Sequence, residues 1–382
     1  MSNIIIEQGA ITNLKNYLLE NYLGKRVVFL SNDGDIEKYR PFLKELKGLS
    51  LEMIVEEVAV DKCGDSIVEE VCQNVESMDY MVIFGAGDII DIGKAVCTRL
   101  DIKYSIIVCK VVCEGIEWGY YRSYNEDMIC CYNKCLSPDN IYVDIDMINI
   151  SNRLDVANAF AGLLSYNYLL VEMLFMGCSK EEIYYLNSLL KGVNIFTSEN
   201  IFTNKGKLKC LKLILDCEAY MSKLHLKNNL LEIGSIYKKF NKSNLRDNEL
   251  DIVFGVIILK LLYEIFEGGM CGGEVNIEKR LDRVRTIFHN DKYITKIINN
   301  LSNLKNVYDT TENIAYYKDI INIALCRMVN NFSQLKRMYI DKGVLYNNIN
   351  VSKCVNALSL ASDILSYNSL NVLLSSGVFD MI

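Results

Sequence analysis

The amino-acid sequence predicts a two-part fold, in which an α/β domain built on a parallel sheet is followed by an all-α domain. Short β-branched runs alternate with amphipathic stretches in the first part of the chain, long helical patterns dominate after Ser151, and only Pro41 and Pro138 interrupt the 382 residues. Alternating strands and helices favour a parallel sheet, and the chain is longer than a single core normally accommodates. We therefore expect residues 1–150 and 151–382 to form separate domains.

The strands and helices follow from apolar runs and from the turns that close them. Residues 26–31 form a β-branched run that ends at the turn Asn32-Asp33-Gly34. Further strands are predicted at 52–60, 80–84, 104–109 and 140–144, with helices at 36–46, 65–75 and 89–100. The later helices are predicted at 156–176, 180–190, 207–224, 249–266, 294–304 and 319–341, with two more beyond them.

Composition and charge exclude several classes of function. The net charge of −7 and the lack of clustered Lys and Arg argue against nucleic acid as a partner. No apolar run approaches the roughly 18 residues of a membrane span, and the N-terminus lacks the pattern of an export signal. We therefore expect a cytoplasmic protein with reduced cysteines, no membrane partner and a small-molecule substrate. The sequence leaves open whether the protein forms a homo-oligomer.

The predicted strand at 80–84 runs directly into Gly85-Ala86-Gly87 and then into a helix. Such a turn places backbone N–H groups and the positive end of the helix dipole at one spot, which suits a pyrophosphate. Glycine also lets the backbone approach a ligand closely. The turn therefore predicts a Rossmann-like dinucleotide site, although similar turns also serve as plain connections.

The residues after this turn extend the pattern to Gly-x-Gly-x-x-x-Asp-x-x-Lys. This pattern resembles the cofactor turn of the superfamily that holds iron-containing alcohol dehydrogenases, glycerol dehydrogenases, glycerol-1-phosphate dehydrogenases and dehydroquinate synthases. Residues 7–14, 27–34 and 138–144 resemble other strands and turns of its first domain. The resemblance implies a dehydroquinate synthase-like fold and an oxidoreductase that uses NAD or NADP.

The same resemblance implies a set of cofactor-binding residues. The members of this set are Asp33, Gly85, Ala86, Gly87, Asp88, Asp91 and Lys94. Asp33 would lie near the adenosine ribose, and the others would lie along the pyrophosphate or on the first turns of the helix. A competing interpretation makes Asp91 and Lys94 a solvated ion pair, worth a few tenths of a kcal/mol.

Dehydrogenases of this superfamily hold a divalent metal with one Asp and two later His residues, and the metal polarises the substrate oxygen. Asp155 stands where that Asp is expected, although it is also suited to an N-cap or a first helical turn. The chain has only two histidines, His225 and His289, and both are out of register. Glu232 and Asp251 are alternative oxygen ligands for a hard cation. We expect no divalent metal.

The substrate-side segment also departs from the superfamily. Members carry Pro-Thr followed by Asp-Gly, whereas residues 108–115 here offer only Glu114 beside a glycine. Without a metal, an alkoxide would need another cation, for which Lys110 is the candidate. The candidate catalytic residues are therefore Asp155, Glu114 and Lys110. Two functions stay open: a dehydrogenase of small polyols or polyol phosphates with a degenerate metal site, and a non-catalytic relative that senses nucleotide or serves as a subunit of an assembly.

Overall fold

The chain forms two compact units. The structure is a computed structural model that describes residues 3–43, 46, 52–58, 62–113, 115–116, 119–125, 129–226, 228, 230–241, 247–268, 278–282, 314–340, 350–365, 367–376 and 379. The first unit comprises Met1–Phe160 and Asn194–Lys227, and the second comprises Ala161–Val193 and Asn228–Ile382. Residue 150, the expected boundary, lies inside the first unit.

The first unit is built on a six-stranded sheet with the order β1-β8-β5-β4-β2-β3, in which every pair is parallel. Its strands are β1 (Asn3–Glu7), β2 (Arg26–Asn32), β3 (Glu52–Val58), β4 (Tyr80–Gly85), β5 (Lys103–Val108) and β8 (Asn140–Asp144). The helices between them are α1 (Ala10–Tyr22), α2 (Asp35–Leu43), α3 (Asp65–Val75) and α4 (Asp88–Leu100). The predicted parallel α/β fold is therefore confirmed.

A separate antiparallel hairpin, β6 (Tyr120–Tyr124) and β7 (Cys130–Lys134), lies between β5 and β8 in the sequence. The sequence pattern does not predict this hairpin, because neither strand forms a continuous apolar run.

Helices cover both faces of the sheet, which explains why its central strands are continuously apolar. All residues of β4 are buried. Val82 and Phe84 pack with α1 and α2 on one face. On the other face α4 lies so close to Ile83 that a Cβ on Gly93 would overlap with the Ile83 side chain.

The winding of the sheet reverses between β2 and β4. The chain runs from β2 through α2 to β3 on one side, and from β4 through α4 to β5 on the other. Because α2 and α4 cover opposite faces, the carboxyl ends of β2 and β4 flank a crevice. Doubly wound sheets bind their ligands at this position.

The second part of the chain is helical where the structure describes it, as predicted. The first unit contains α5 (Ile145–Asn149) and α9 (Asn204–Lys223), and α6 (Arg153–Ser165) begins in the first unit and ends in the second. The others are α7 (Asn167–Phe175), α8 (Lys180–Leu190), α10 (Leu230–Asn241), α11 (Asp247–Gly268), α12 (Ile314–Ile340), α13 (Val351–Ile364) and α14 (Asn368–Ser375). None of the described helices is long and apolar enough to cross a membrane.

One predicted helix differs from the structure, and another cannot be compared with it. The helix expected at 156–176 is divided into α6 and α7 at Tyr166. The side chains of Ser165 and Asn167 donate to carbonyl oxygens three residues earlier, which competes with the helical ladder. The helix expected at 294–304 lies outside the described residues.

Candidate functional site

The turn between β4 and α4 depends on two glycines for different reasons. Gly87 is the N-cap of α4 with φ at 75°, and a Cβ added there would meet no atom within 4 Å. Gly85 has φ at 152°, and its Cβ would lie 2.5 Å from Cγ2 of Ile89. Gly85 is therefore required by packing as well as by backbone conformation, whereas Gly87 is required by backbone conformation alone. Gly87 carries no side chain that could cap α4, and the first turn of a helix is a suitable position for an anion.

Three further residues of the predicted cofactor set lie at the same edge of the sheet in different surroundings. Ala86 is buried in the turn, Asp88 is partly exposed as the first residue of α4, and Asp33 is exposed just after β2. The Asp33 main-chain N–H donates to the carbonyl of Val58 at 3.0 Å. An acid in the first turn offsets the positive end of the helix dipole. A pyrophosphate at this turn would therefore share the helix N-terminus with the Asp88 carboxylate.

Asp91 and Lys94 are buried, and the interpretation as a solvated ion pair is wrong. Asp91 is 2% exposed, and its carboxylate accepts from Nε of Arg122 at 2.7 Å and from the Arg122 main-chain N–H at 2.9 Å. The fully buried Lys94 ammonium donates to the carbonyl oxygens of Gly115 and Tyr120. Both side chains thus attach the β5–β6 loop and the hairpin to α4. A direct contact of either side chain with a cofactor stays a prediction.

The β5–β6 loop has further polar anchors within the first unit. The N–H of Ile116 donates to Oε2 of the buried Glu218 on α9 at 3.0 Å. Near the start of the loop, the N–H of Val111 donates to Oγ of Ser151 at 2.9 Å. The loop is therefore fastened to α4, to α9 and to the segment that precedes α6.

Lys110 and Asp155 meet at the carboxyl edge of the sheet. Nζ of Lys110 lies 3.7 Å from Oδ1 of Asp155, and their side chains are 33% and 18% exposed. Asp155 is a first-turn acid of α6, because the capping role falls to Asn152, whose Oδ1 accepts from the Asp155 N–H at 2.9 Å. The third candidate catalytic residue, Glu114, lies outside the described residues.

Asp35, the first residue of α2, adds a second carboxylate to this edge. Burial raises the pKa of Asp35, Lys110 and Lys38 oppose that rise, and Asp155 adds to it. Burial also lowers the pKa of Lys207 on α9, and Asp155 opposes that shift. The charged groups that follow β2, β5 and β8 therefore lie within electrostatic reach of one another.

Three residues that shape this region, Asp35, Arg122 and Glu218, are not identified by the sequence pattern. Asp35 carries a usable signal, because it opens a helix directly after the Asn32-Asp33-Gly34 turn. Arg122 and Glu218 carry none, since their partners lie 31 and 102 residues away.

The donors that the structure describes do not fit the divalent metal that the resemblance implies. Among these residues, no three His, Cys, Asp or Glu side chains form a group that could hold a metal ion. The Asp155 carboxylate is paired with an ammonium. His225 is exposed in the turn after α9, with φ at 53°, and His289 lies outside the described residues. Glu232 and Asp251 are buried on helices of the second unit.

No family model and no curated protein sequence matches this chain. Solved structures do match it, and they show that the chain has the fold of the iron-containing alcohol dehydrogenases. The iron-containing alcohol dehydrogenase from Thermotoga maritima is similar with a TM-score of 0.65 and 11% identity, over 98% of this chain and 97% of that one. A maleylacetate reductase from Agrobacterium tumefaciens is similar with a TM-score of 0.61 and 11% identity, over 99% and 96%. A probable glycerol dehydrogenase from Sinorhizobium meliloti 1021 is similar with a TM-score of 0.57 and 14% identity, over 100% and 98%.

At these identities the likeness concerns the fold. This fold is the one that the resemblance of the glycine turn and its neighbouring residues implies, and the likeness extends over nearly the full length of each chain.

Proposed function

We propose that this protein binds NAD(H) or NADP(H) at residues 85–88 and transfers hydride between the nicotinamide and a small polyol or polyol phosphate. The observation that carries the proposal is the N-terminus of α4, which follows a glycine N-cap with open space around it and lies where the winding of the sheet reverses. The similar solved structures carry the names of two dehydrogenases and a reductase, which supports oxidoreductase chemistry.

In this proposal the first N–H groups of α4 donate to pyrophosphate oxygens, and the helix adds about half a positive charge at its N-terminus. Asp33, exposed after β2, accepts hydrogen bonds from the adenosine ribose. A carboxylate at that position repels a 2′-phosphate, so we expect NADH to bind more tightly than NADPH.

Calorimetric titration with NADH and NADPH tests this proposal. The sharpest variant is Gly87→Val, with Gly24→Val as its control, because both glycines have φ near 75° and neither added Cβ meets an atom within 4 Å. Valine carries a backbone penalty at both positions, because a β-branched residue rarely adopts a positive φ, and the ψ of −136° places Gly87 outside the left-handed α region. Gly24 precedes β2 and thus lies at the opposite, amino edge of the sheet.

We expect Gly87→Val to bind NADH at least about tenfold more weakly than Gly24→Val, because the valine side chain occupies the approach to the helix N-terminus. Equal affinities in the two variants would contradict the assigned site. A lack of binding by the unmodified protein at millimolar nucleotide would contradict the proposal as a whole.

A second candidate function is a non-catalytic protein that keeps the nucleotide pocket as a sensor, or the fold as a subunit of an assembly. The observation that favours it is the set of donors, since the chain has two histidines and the described residues form no three-ligand group. This candidate predicts NADH binding without NADH oxidation when small carbonyl compounds are offered.

A further inference from the structure

Lys110 lies beside the glycine turn. It stands two residues beyond Val108, the last residue of β5, and Val108 pairs with Gly85 across the sheet. Asp35, which follows β2 on the other side of β4, is electrostatically coupled to Lys110. Asp155 contacts the ammonium from α6. The ammonium is therefore located at the carboxyl edge, where the crevice opens.

The Lys110 ammonium also has room to act on a ligand. Its side chain is 33% exposed, and the 3.7 Å separation from Asp155 is a charge pairing rather than a short hydrogen bond. Lys207 is coupled to the same carboxylate but is only 8% exposed, and its Nζ donates to the carbonyls of Asn149 and Ser151 at 2.6 and 2.7 Å. Lys38, the other lysine whose charge acts on Asp35, is exposed on α2, and its ammonium lies 4.9 Å from the ring of Tyr39.

An ammonium and a divalent ion compete for one carboxylate. Two unit charges about 4 Å apart interact by about 1 kcal/mol in water and by about 4 kcal/mol near a protein surface. A divalent ion beside Asp155 would be repelled by the ammonium about twice as strongly as a monovalent ion at the same distance. The Asp155 carboxylate already has a cation partner, and the described residues offer no imidazole pair beside it. The charge of the Asp155 carboxylate is therefore balanced by the Lys110 ammonium and does not need a metal ion.

We infer that the Lys110 ammonium, held by Asp155, is the cation that stabilises the substrate oxygen in this site, in place of a divalent metal. This role rests on the proposed function. Asp155 acts as the positioning residue, and Lys110 as the catalytic residue.

In the reduction, a nucleotide held at residues 85–88 would supply a hydride to the carbonyl carbon, and the nucleotide would be oxidised as the carbon is reduced. The electron pair of the C=O π bond moves to the oxygen, where the Lys110 ammonium donates a hydrogen bond to the developing negative charge. The oxygen then takes a proton from the buffered solvent, so that NADH, the carbonyl compound and one proton give NAD+ and the alcohol.

The test compares three variants, Lys110→Met, Lys110→Arg and the control Lys25→Met, whose lysine is exposed before β2 at the opposite edge. NADH affinity is measured by calorimetry, and NADH oxidation is followed with glyceraldehyde, dihydroxyacetone and dihydroxyacetone phosphate in the presence of a chelator. Bound metal is measured by elemental analysis of protein purified without a chelator. Thermal unfolding verifies that each variant is folded.

We expect the unmodified protein to turn over at least one of the three carbonyls with the chelator present and to carry no stoichiometric metal. Lys110→Met should lower kcat by about 100-fold or more, as loss of an oxyanion donor does, while its NADH affinity stays within about twofold. Lys110→Arg should keep part of the turnover, because it keeps the charge, and Lys25→Met should match the unmodified protein.

Turnover abolished by the chelator, stoichiometric metal, or equal kcat for Lys110→Met and Lys25→Met would overturn the role of Lys110. NADH binding without reduction of any of the three carbonyls would overturn it as well, while leaving the nucleotide site in place. Failure of the unmodified protein to bind NADH would overturn the proposed function together with this role.

Discussion

The β5–β6 loop is flanked by two sets of charges that use the same residue types in opposite ways. The inner set, Asp91, Lys94 and Arg122, is buried, and its members bond to each other or to main-chain atoms. The outer pair, Lys110 and Asp155, is partly exposed and loosely spaced. Burial, more than residue type, therefore distinguishes charges that hold a loop from charges that can act on a ligand.

The energetics of the two sets differ accordingly. Buried charges lose their hydration, so the inner set is stable only while each member keeps its partner. The exposed charges of the outer pair keep much of their hydration, and such pairs typically contribute up to about 1 kcal/mol. Stability should therefore depend strongly on the inner set, and ligand chemistry on the outer pair.

The largest expected effect is on folding stability after Asp91→Ala. This variant leaves the Arg122 guanidinium buried without its carboxylate, which should lower the free energy of unfolding by about 3–5 kcal/mol. The double variant Asp91→Leu with Arg122→Met removes both charges and should recover part of that loss. Denaturant unfolding measures both. A loss below about 1 kcal/mol for Asp91→Ala would remove the distinction between the two sets.

Lys94→Met should have the next largest effect. The substitution leaves the buried carbonyl oxygen of Gly115 without this donor, a loss worth about 1–3 kcal/mol, and the longer, part-buried bond to the Tyr120 carbonyl at 3.4 Å adds less. We expect lower stability together with faster amide hydrogen exchange in β6. Lys103→Met, at the exposed first position of β5, is the matched control and should change neither. Unchanged exchange in β6 would show that Lys94 does not fasten the hairpin.

Asp88, partly exposed as the first residue of α4, tests the effect of an acid at the proposed phosphate site. Asp88→Ser removes a negative charge from the N-terminus of α4, where such charges are worth about 0.3–1 kcal/mol. NADH affinity should therefore rise by about two- to fivefold at low salt, and the gain should shrink as salt screens the charge. Weaker binding in this variant would assign the Asp88 carboxylate a direct contact with the nucleotide.

The smallest expected effect is the stability change on Lys110→Met. The pair with Asp155 is partly exposed, so the free energy of unfolding should change by no more than about 0.5 kcal/mol. Denaturant unfolding at two salt concentrations measures this change. A loss comparable to that of Asp91→Ala would make Lys110 a structural residue and would weaken its assignment to the substrate oxygen.

Local patterns could be predicted from the sequence, and partnerships between distant segments could not. The glycine turn was predictable because strand, turn and helix are consecutive in the chain. The same pattern could not show that Asp91 faces Arg122, because the hairpin that carries Arg122 has no apolar alternation. Lys110 and Asp155 could each be predicted as candidate residues from the sequence. Their contact could not, because it depends on the fold.

The first unit consists of two separate stretches of chain, Met1–Phe160 and Asn194–Lys227. The ribosome therefore makes its two parts at different times. A nascent chain emerges N-terminus first, so all six strands and the glycine turn leave the ribosome before α9. Lys207 and Glu218, which α9 carries, follow their partners Ser151 and Ile116 by 56 and 102 residues. A newly made sheet therefore exposes its glycine turn while the loop beside that turn still lacks its bond to Glu218, and while the segment before α6 still lacks its bonds to Lys207.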